Sequence, residues 1–180
     1  MDAIECLITR RSIRHYSAEP VSRTDVRHIV EMARMVSSWE NLQPVRYTAV
    51  FDEILKNRIA DECARLSPWN TESIREAPVI MVLSYIMGLS GYEPDGTPST
   101  TEGTHWQSFD TGMAAAYFCL AARALDMGTV IMGRYDEAAV RKIVGLPSEQ
   151  KIACLIALGR PEVVPAAGDR LAVEKILTFK

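Results

Sequence analysis

At 180 residues, with 48% hydrophobic and 24% charged positions, the chain has the composition of one globular domain that buries roughly 70% of its unfolded surface. Its 20 Lys+Arg against 23 Asp+Glu give a net charge of −3, with bases and acids mostly interleaved, which excludes a general nucleic-acid or polyanion binder. Apolar runs such as Val79 to Leu83 are too short to span a bilayer, and Met1 to Glu5 is acidic where a signal peptide is basic, so a single cytoplasmic domain over residues 1–180, with no membrane contact, is expected.

Ile4, Leu7 and Ile8 recur at helical spacing and predict a short first helix. It gives way near Arg10 to Ser12, where a serine and the approach to Pro20 disfavour continuation. Ser22 is a candidate N-cap for a helix with Val26, Ile29, Val30 and Ala33 on one face. Residues 37–44 read as loop, and Tyr47 to Phe51 as a strand rich in β-formers. Leu55, Ile59, Cys63 and Leu66 line the next helix. The apolar run over 78–86 predicts a strand buried on both faces.

Gly88 to Thr104 carries four glycines and two prolines and reads as a long loop, a length that is uncommon without a function. Residues 107–126 form the most apolar helix. Its glycine and alanines allow close packing, in a core or an interface. A strand over 129–132 follows, then a helix capped by Asp136 that carries Val140, Ile143 and Val144 and stops at Gly145 and Pro147. The last strand runs from Ile152 to Leu158, and the tail ends in Ile176, Leu177 and Phe179. Helices with four or five strands, not in regular βαβ alternation, predict an α+β fold.

The four cysteines (Cys6, Cys63, Cys119, Cys154) are far apart in apolar segments and predict buried thiols, not a metal centre. Three histidines form no ligand pattern. No GxSxG elbow or Cys/His pair marks a nucleophile, so no side chain stands out as catalytic.

Against this acidic background, Arg10 to Tyr16, "RRSIRHY", places three arginines in five positions with no acid between Glu5 and Glu19. Arginine binds phosphate oxygens bidentately and keeps its charge. The segment reads equally as a phosphate site or as a solvated surface face. Neither GxxxxGK nor GxGxxG is present, so any phosphate belongs to a ligand held by other means. A second polar cluster, Ser37 to Pro44, offers hydroxyls and amides that both donate and accept. That mixture suits a flavin's pyrimidine edge, although composition alone favours a plain helix-to-strand turn.

Together with "LDMGTVIMGRYD" (residues 125–136) and "ALGRP" (157–161), these segments resemble the nitroreductase-like FMN-dependent oxidoreductases, almost end to end. The resemblance implies a central, mainly antiparallel or mixed sheet flanked by helices, in an intertwined homodimer with FMN at the interface. It implies that Arg10, Arg11, Ser12 and Arg14 hold the phosphate and ribityl chain, with Arg170 joining them. Asn70 would meet the flavin, Ile131, Met132, Gly133 and Arg134 would lie against its ring, and Ser37, Ser38, Trp39 and Asn41 would approach from the partner. The implied reaction is ping-pong transfer of a hydride from NAD(P)H, through flavin N5, to a nitroaromatic, quinone or similar small acceptor. The chemistry would then belong to the flavin. Dehydrogenation of another small molecule, or FMN binding without catalysis, are the alternatives.

The chain departs from the family pattern at Ser37, where proline is usual, at Trp39, where a small residue is common, and at Val45, where tryptophan is frequent. Trp39 would narrow the pocket, stack on an aromatic substrate or fill the space that Val45 leaves; the last is the expectation. Tyr92, His105 and Trp106, on or beside the long loop, are the candidate substrate-side residues with Trp39.

Overall fold

The computed structural model describes residues 2–64 and 67–180. Leu66, expected on a helix face, lies outside them. Helix α1 (Ala3–Thr9) starts where the Asp2 side chain accepts the Glu5 N–H. Helix α2 (Arg23–Ala33) starts on a reciprocal capping box: Ser22 accepts the Asp25 N–H, and the Asp25 carboxylate accepts the Ser22 N–H. Those bonds hold the Asp25 carboxyl below its ordinary range. Helix α6 (Glu137–Val144) begins on Asp136 as expected and ends at Gly145, whose φ of +63° is a conformation that glycine adopts without strain.

Four strands, β1 (Val45–Val50), β2 (Val79–Ile86), β3 (Gly128–Met132) and β4 (Gln150–Gly159), form one sheet in the order β1-β2-β4-β3. Every pairing is antiparallel, which resolves the expected mainly antiparallel or mixed sheet. The central strands β2 and β4 are covered on both faces, and strand alternation divides their side chains between two cores. Ile80, Val82, Leu155 and Ala157 pack with Ile59, Ile74 and Val140 on one side. Val79, Met81, Leu83, Ile156 and Leu158 pack with Ile29, Ala33, Phe118 and Ala122 on the other. The second layer belongs to α2 and to the long helix α5 (His105–Ala124). Each valine, leucine, isoleucine, methionine or phenylalanine among them contributes about 1.5–3 kcal/mol through burial.

The region before β2 departs from the expected single helix. Helix α3 (Glu53–Arg58) passes into a π-type turn over Ile59–Cys63, and a separate helix α4 (Pro68–Glu76) follows with Pro68 in its first turn. Lys56, only 1% exposed, supports this arrangement: its ammonium donates to the Ala77 carbonyl at 2.6 Å and pairs with Glu53 at 2.7 Å. No single-helix periodicity announces a lysine in that role.

The segment 10–16 runs extended along the outer edge of β3. Ser12 bridges Thr129 in parallel, and the Ile13 N–H donates to the Thr129 carbonyl at 2.9 Å. Ile13 lies against Gly128, where an added Cβ would stand 2.5 Å from its side chain. Tyr16 lies against Gly159 in the same way and donates its hydroxyl to the Ile13 carbonyl at 2.7 Å. After Gly159 the chain stays bonded to the 15–17 segment through Arg160, Pro161 and Glu162, and every residue from 162 to 180 is exposed.

All four cysteines are buried and unpaired by disulfide. Burial pushes the Cys63 thiol up to about 11, the Cys154 thiol up to about 12, and raises Cys119 as well. A thiolate forms only above those values, so these thiols stay protonated and inert at neutral pH. In an Ellman's reagent titration at pH 8, Cys63, Cys119 and Cys154 should react only after denaturant is added. Gly128→Ala should lower stability by about 1–3 kcal/mol through overpacking against Ile13, read as a lower urea midpoint.

Candidate functional site

Extended backbone turns successive side chains to opposite sides, and this divides the arginines of the first segment. Arg10, Ser12 and Arg14 line one groove of about 440 Å³, together with Leu7 of α1, Ala116, Cys119 and Leu120 of α5, and Thr129 to Ile131 of β3. That volume lies within the roughly 300–1,000 Å³ typical of small-molecule sites. Among the described residues, neither Arg10 nor Arg14 has a carboxylate within 4.0 Å. Two guanidinium groups without acid partners beside a serine hydroxyl leave charged donors free for an anion.

Arg11 faces the other way. Its guanidinium donates to the Ile8 carbonyl at 2.7 Å and to the Arg10 carbonyl at 2.9 Å, satisfying the end of α1. It borders a second groove, with Ile13 and Arg123, which Arg10 lines as well, and takes no part in the 440 Å³ groove. Of the first-segment candidates, the structure therefore brings together Arg10, Ser12 and Arg14, and sets Arg11 apart.

Ile131, half exposed at 49%, reaches the 440 Å³ groove from the end of β3. Met132 is buried, while Gly133 and Arg134 are exposed just beyond the strand. A Cβ added at Gly133 would meet nothing within 4 Å, so the backbone here faces open space. Asn70, in the first turn of α4, donates to the Arg134 carbonyl at 3.3 Å and joins this corner. Arg170 lies on the exposed tail, bonded to the carbonyls of Gly168 and Asp169, and lines no part of the groove within one chain.

Residues 37–44 form a tight loop elsewhere on the chain. Glu40, Asn41 and Gln43 adopt φ of +46°, +58° and +51°, where non-glycine residues are costly, asparagine least so. The loop is held by the Gln43 N–H donating to Ser38 Oγ at 2.9 Å and by the Trp39 N–H donating to Asp110 Oδ2 at 3.0 Å. Ser37 and Ser38 border a smaller cavity of about 120 Å³ with Asp110. They do not reach the arginine groove in one chain. Asp110 and Cys119 are nine positions apart on α5, a separation of roughly 13 Å along the axis.

Trp39 packs against a second tryptophan. Its ring lies 4.9 Å from that of Trp106, which in turn meets Phe109 edge-on at 5.1 Å. Tyr92 is half-buried in a turn bridged to Pro98, and His105 is exposed at the start of α5. The long loop is therefore an ordered series of turns, not a loose cover. Sequence reasoning missed two residues. Thr129, buried at 2%, borders the groove beside Cys119; its position inside the quoted "LDMGTVIMGRYD" segment was the available signal. Asp110, also 2% exposed, is the only acid within α5, and an acid in an apolar helix could have been singled out.

The model of the nitroreductase family matches residues 7–160. A NADH dehydrogenase of Thermus thermophilus is 29% identical over 204 aligned positions, covering 100% of this chain and 97% of that one. An NADPH-flavin oxidoreductase of Vibrio harveyi is 27% identical over 98% of this chain and 72% of its own length. Among solved structures, a nitroreductase of Exiguobacterium sibiricum in complex with FMN superposes with a TM-score of 0.87 at 20% identity, covering 100% of this chain and 98% of that one. A Streptococcus pneumoniae family member gives 0.85 at 19% identity, with 99% and 100% covered. With the α+β fold, the antiparallel sheet and the arginine groove at the edge of β3 in place, the chain belongs to the nitroreductase family.

Proposed function

We propose that the chain is an FMN-dependent NAD(P)H oxidoreductase acting on a nitroaromatic, quinone or similar small acceptor. The observation that carries this reading is the convergence of Arg10, Ser12 and Arg14 on one groove where, among the described residues, no carboxylate pairs with either arginine. Their donors suit a phosphate dianion, and the half-exposed Ile131 supplies an apolar surface at the same groove for a flat ring. FMN bound there would take a hydride from NAD(P)H and pass it to the acceptor in ping-pong fashion. The chain's own part is to hold the phosphate with Arg10 and Arg14, to fix the Gly133 corner through Asn70, and to offer backbone donors where no Cβ intervenes. The Vibrio harveyi relative carries flavin oxidoreductase in its name, and the Exiguobacterium structure holds FMN; both favour this reading.

The site is complete only in a homodimer. On α5, Phe109, Gly112, Ala116 and Tyr117 form an exposed strip, narrow enough in the middle for a second helix to approach closely. Antiparallel pairing of two such helices about Gly112 and Ala116 sets Asp110 of one beside the Cys119 region of the other. That brings Ser37, Ser38, Trp39 and Asn41 of the partner to the arginine groove. The exposed apolar side chains of α1 (Ile4, Leu7, Ile8) and of the tail (Leu171, Ile176, Phe179) gain cover in the same assembly, and the tail carries Arg170 with it.

Purified protein should be yellow or become so with FMN, and the flavin bands should bleach under anaerobic NADH or NADPH. A colourless protein that takes up no FMN overturns the reading. Arg14→Ala should weaken FMN binding by about 1.5–3 kcal/mol, the worth of a hydrogen bond between charged partners, measured by fluorescence titration of the apoprotein. Ala116→Arg should convert a dimer to monomer in sedimentation velocity and lose FMN with it, while far-UV circular dichroism is retained.

A further inference from the structure

We infer that Asp110 is a positioning residue: its carboxylate clamps the Ser37–Pro44 loop to the Gly88–Thr104 loop, so that Trp39 and Trp106 form one aromatic wall that sets acceptor affinity. The role in acceptor binding rests on the flavin reading above; the clamp itself does not.

Asp110 is 2% exposed, and a single oxygen, Oδ2, accepts both the Trp39 N–H at 3.0 Å and the Ser90 hydroxyl at 2.5 Å. Ser90 is fully buried. Among the described residues, no basic side chain pairs with this carboxylate. Burying a carboxyl group with hydrogen bonds alone is costly, and an apolar side chain would pack in the same helix at lower cost. What the carboxylate supplies is connection: its two donors come from two separate loops, 71 and 20 positions away in sequence.

Both loops need holding. The first keeps three non-glycine residues at positive φ. The second is seated on Trp106: Gly91, at φ +78°, leaves room for that indole, where a Cβ would stand 2.7 Å away. The Trp106 Nε1–H donates to Thr100 Oγ1 at 2.8 Å, and the Gly88 N–H donates to Gln107 Oε1 at 2.7 Å. The clamp therefore ends in the Trp39–Trp106 contact at 4.9 Å. Two fixed indoles offer stacking surface at little entropic cost, which suits a planar aromatic acceptor. Released from Asp110, Trp39 keeps its chemistry and loses its place.

The test uses the full-length protein with Trp69, which is 67% exposed, replaced by phenylalanine, so that Trp39 and Trp106 report alone. Asp110→Ala and, from the other side of the clamp, Ser90→Ala should raise acrylamide quenching of the apoprotein about twofold. Asp110→Asn, which keeps an acceptor oxygen and the shape, should restore most of the protection. In the FMN-loaded enzyme, Asp110→Ala should raise KM for menadione or a planar nitroaromatic about tenfold while kcat changes much less, the signature of lost positioning for binding. A lower melting temperature with quenching unchanged in both Asp110→Ala and Ser90→Ala overturns the clamp, as does Asp110→Asn behaving like Asp110→Ala. Raised quenching with an unchanged acceptor KM overturns the acceptor role. A wild type that takes up no FMN defeats the flavin reading instead, and the quenching comparison still decides the clamp.

Discussion

The docking of residues 10–16 against the edge of β3 is the constraint on which the site depends. Two backbone hydrogen bonds, Ile13 N–H to the Thr129 carbonyl and Glu162 N–H to the His15 carbonyl, and two side chains seated over glycines, Ile13 on Gly128 and Tyr16 on Gly159, fix the extended register. Once the register is fixed, alternation leaves no choice about which arginines face the groove. A slip of one residue would exchange the two sets, turning Arg11 inward and Arg10 and Arg14 outward. The apolar packing of two residues thus decides the electrostatics of four others.

The chain resolves the tension between its overall acidity and this local positive charge by separating roles. Some of its other guanidinium groups lie in ion pairs, among them Arg58 with Glu62, Arg75 with Asp61 and Arg160 with Glu19. Arg11 is consumed by carbonyls at the end of α1. Arg10 and Arg14 are held back from such partners by the stretch without acids between Glu5 and Glu19. The buried acid of α5 serves the opposite end of the same helix, where it meets only uncharged donors.

Much of this was legible in the sequence because it rests on local chemistry. The caps at Ser22 and Asp136, the stop at Gly145 and the apolar runs of β2 and β4 act over a few residues, and each sits where its pattern placed it. The four buried cysteines were readable for the same reason. What was not legible depends on pairing across the chain. That Arg11 parts from Arg10 and Arg14 follows from a register with a strand more than a hundred residues later. Helix α4 shows only a short apolar face around Ile74, so the run from Leu55 onward reads as one helix before β2. The clamp of Asp110 to Trp39 joins residues with no shared motif, and the Trp39–Trp106 contact becomes visible only when both loops are folded.

The loop of residues 37–44 has a further consequence for how this protein can change. Glycine at positions 40 or 43 would relieve the left-handed backbone, and a chain shaped for stability alone would carry it there. The chain carries Glu40, Asn41 and Gln43 instead, and the strain is contained by a handful of hydrogen bonds. The most accessible gains in thermal resistance therefore lie in the same few residues whose stiffness shapes the pocket. If Trp39 meets the acceptor as proposed, heat tolerance and selectivity are traded against each other within one loop, while the sheet and its two cores take no part in the exchange.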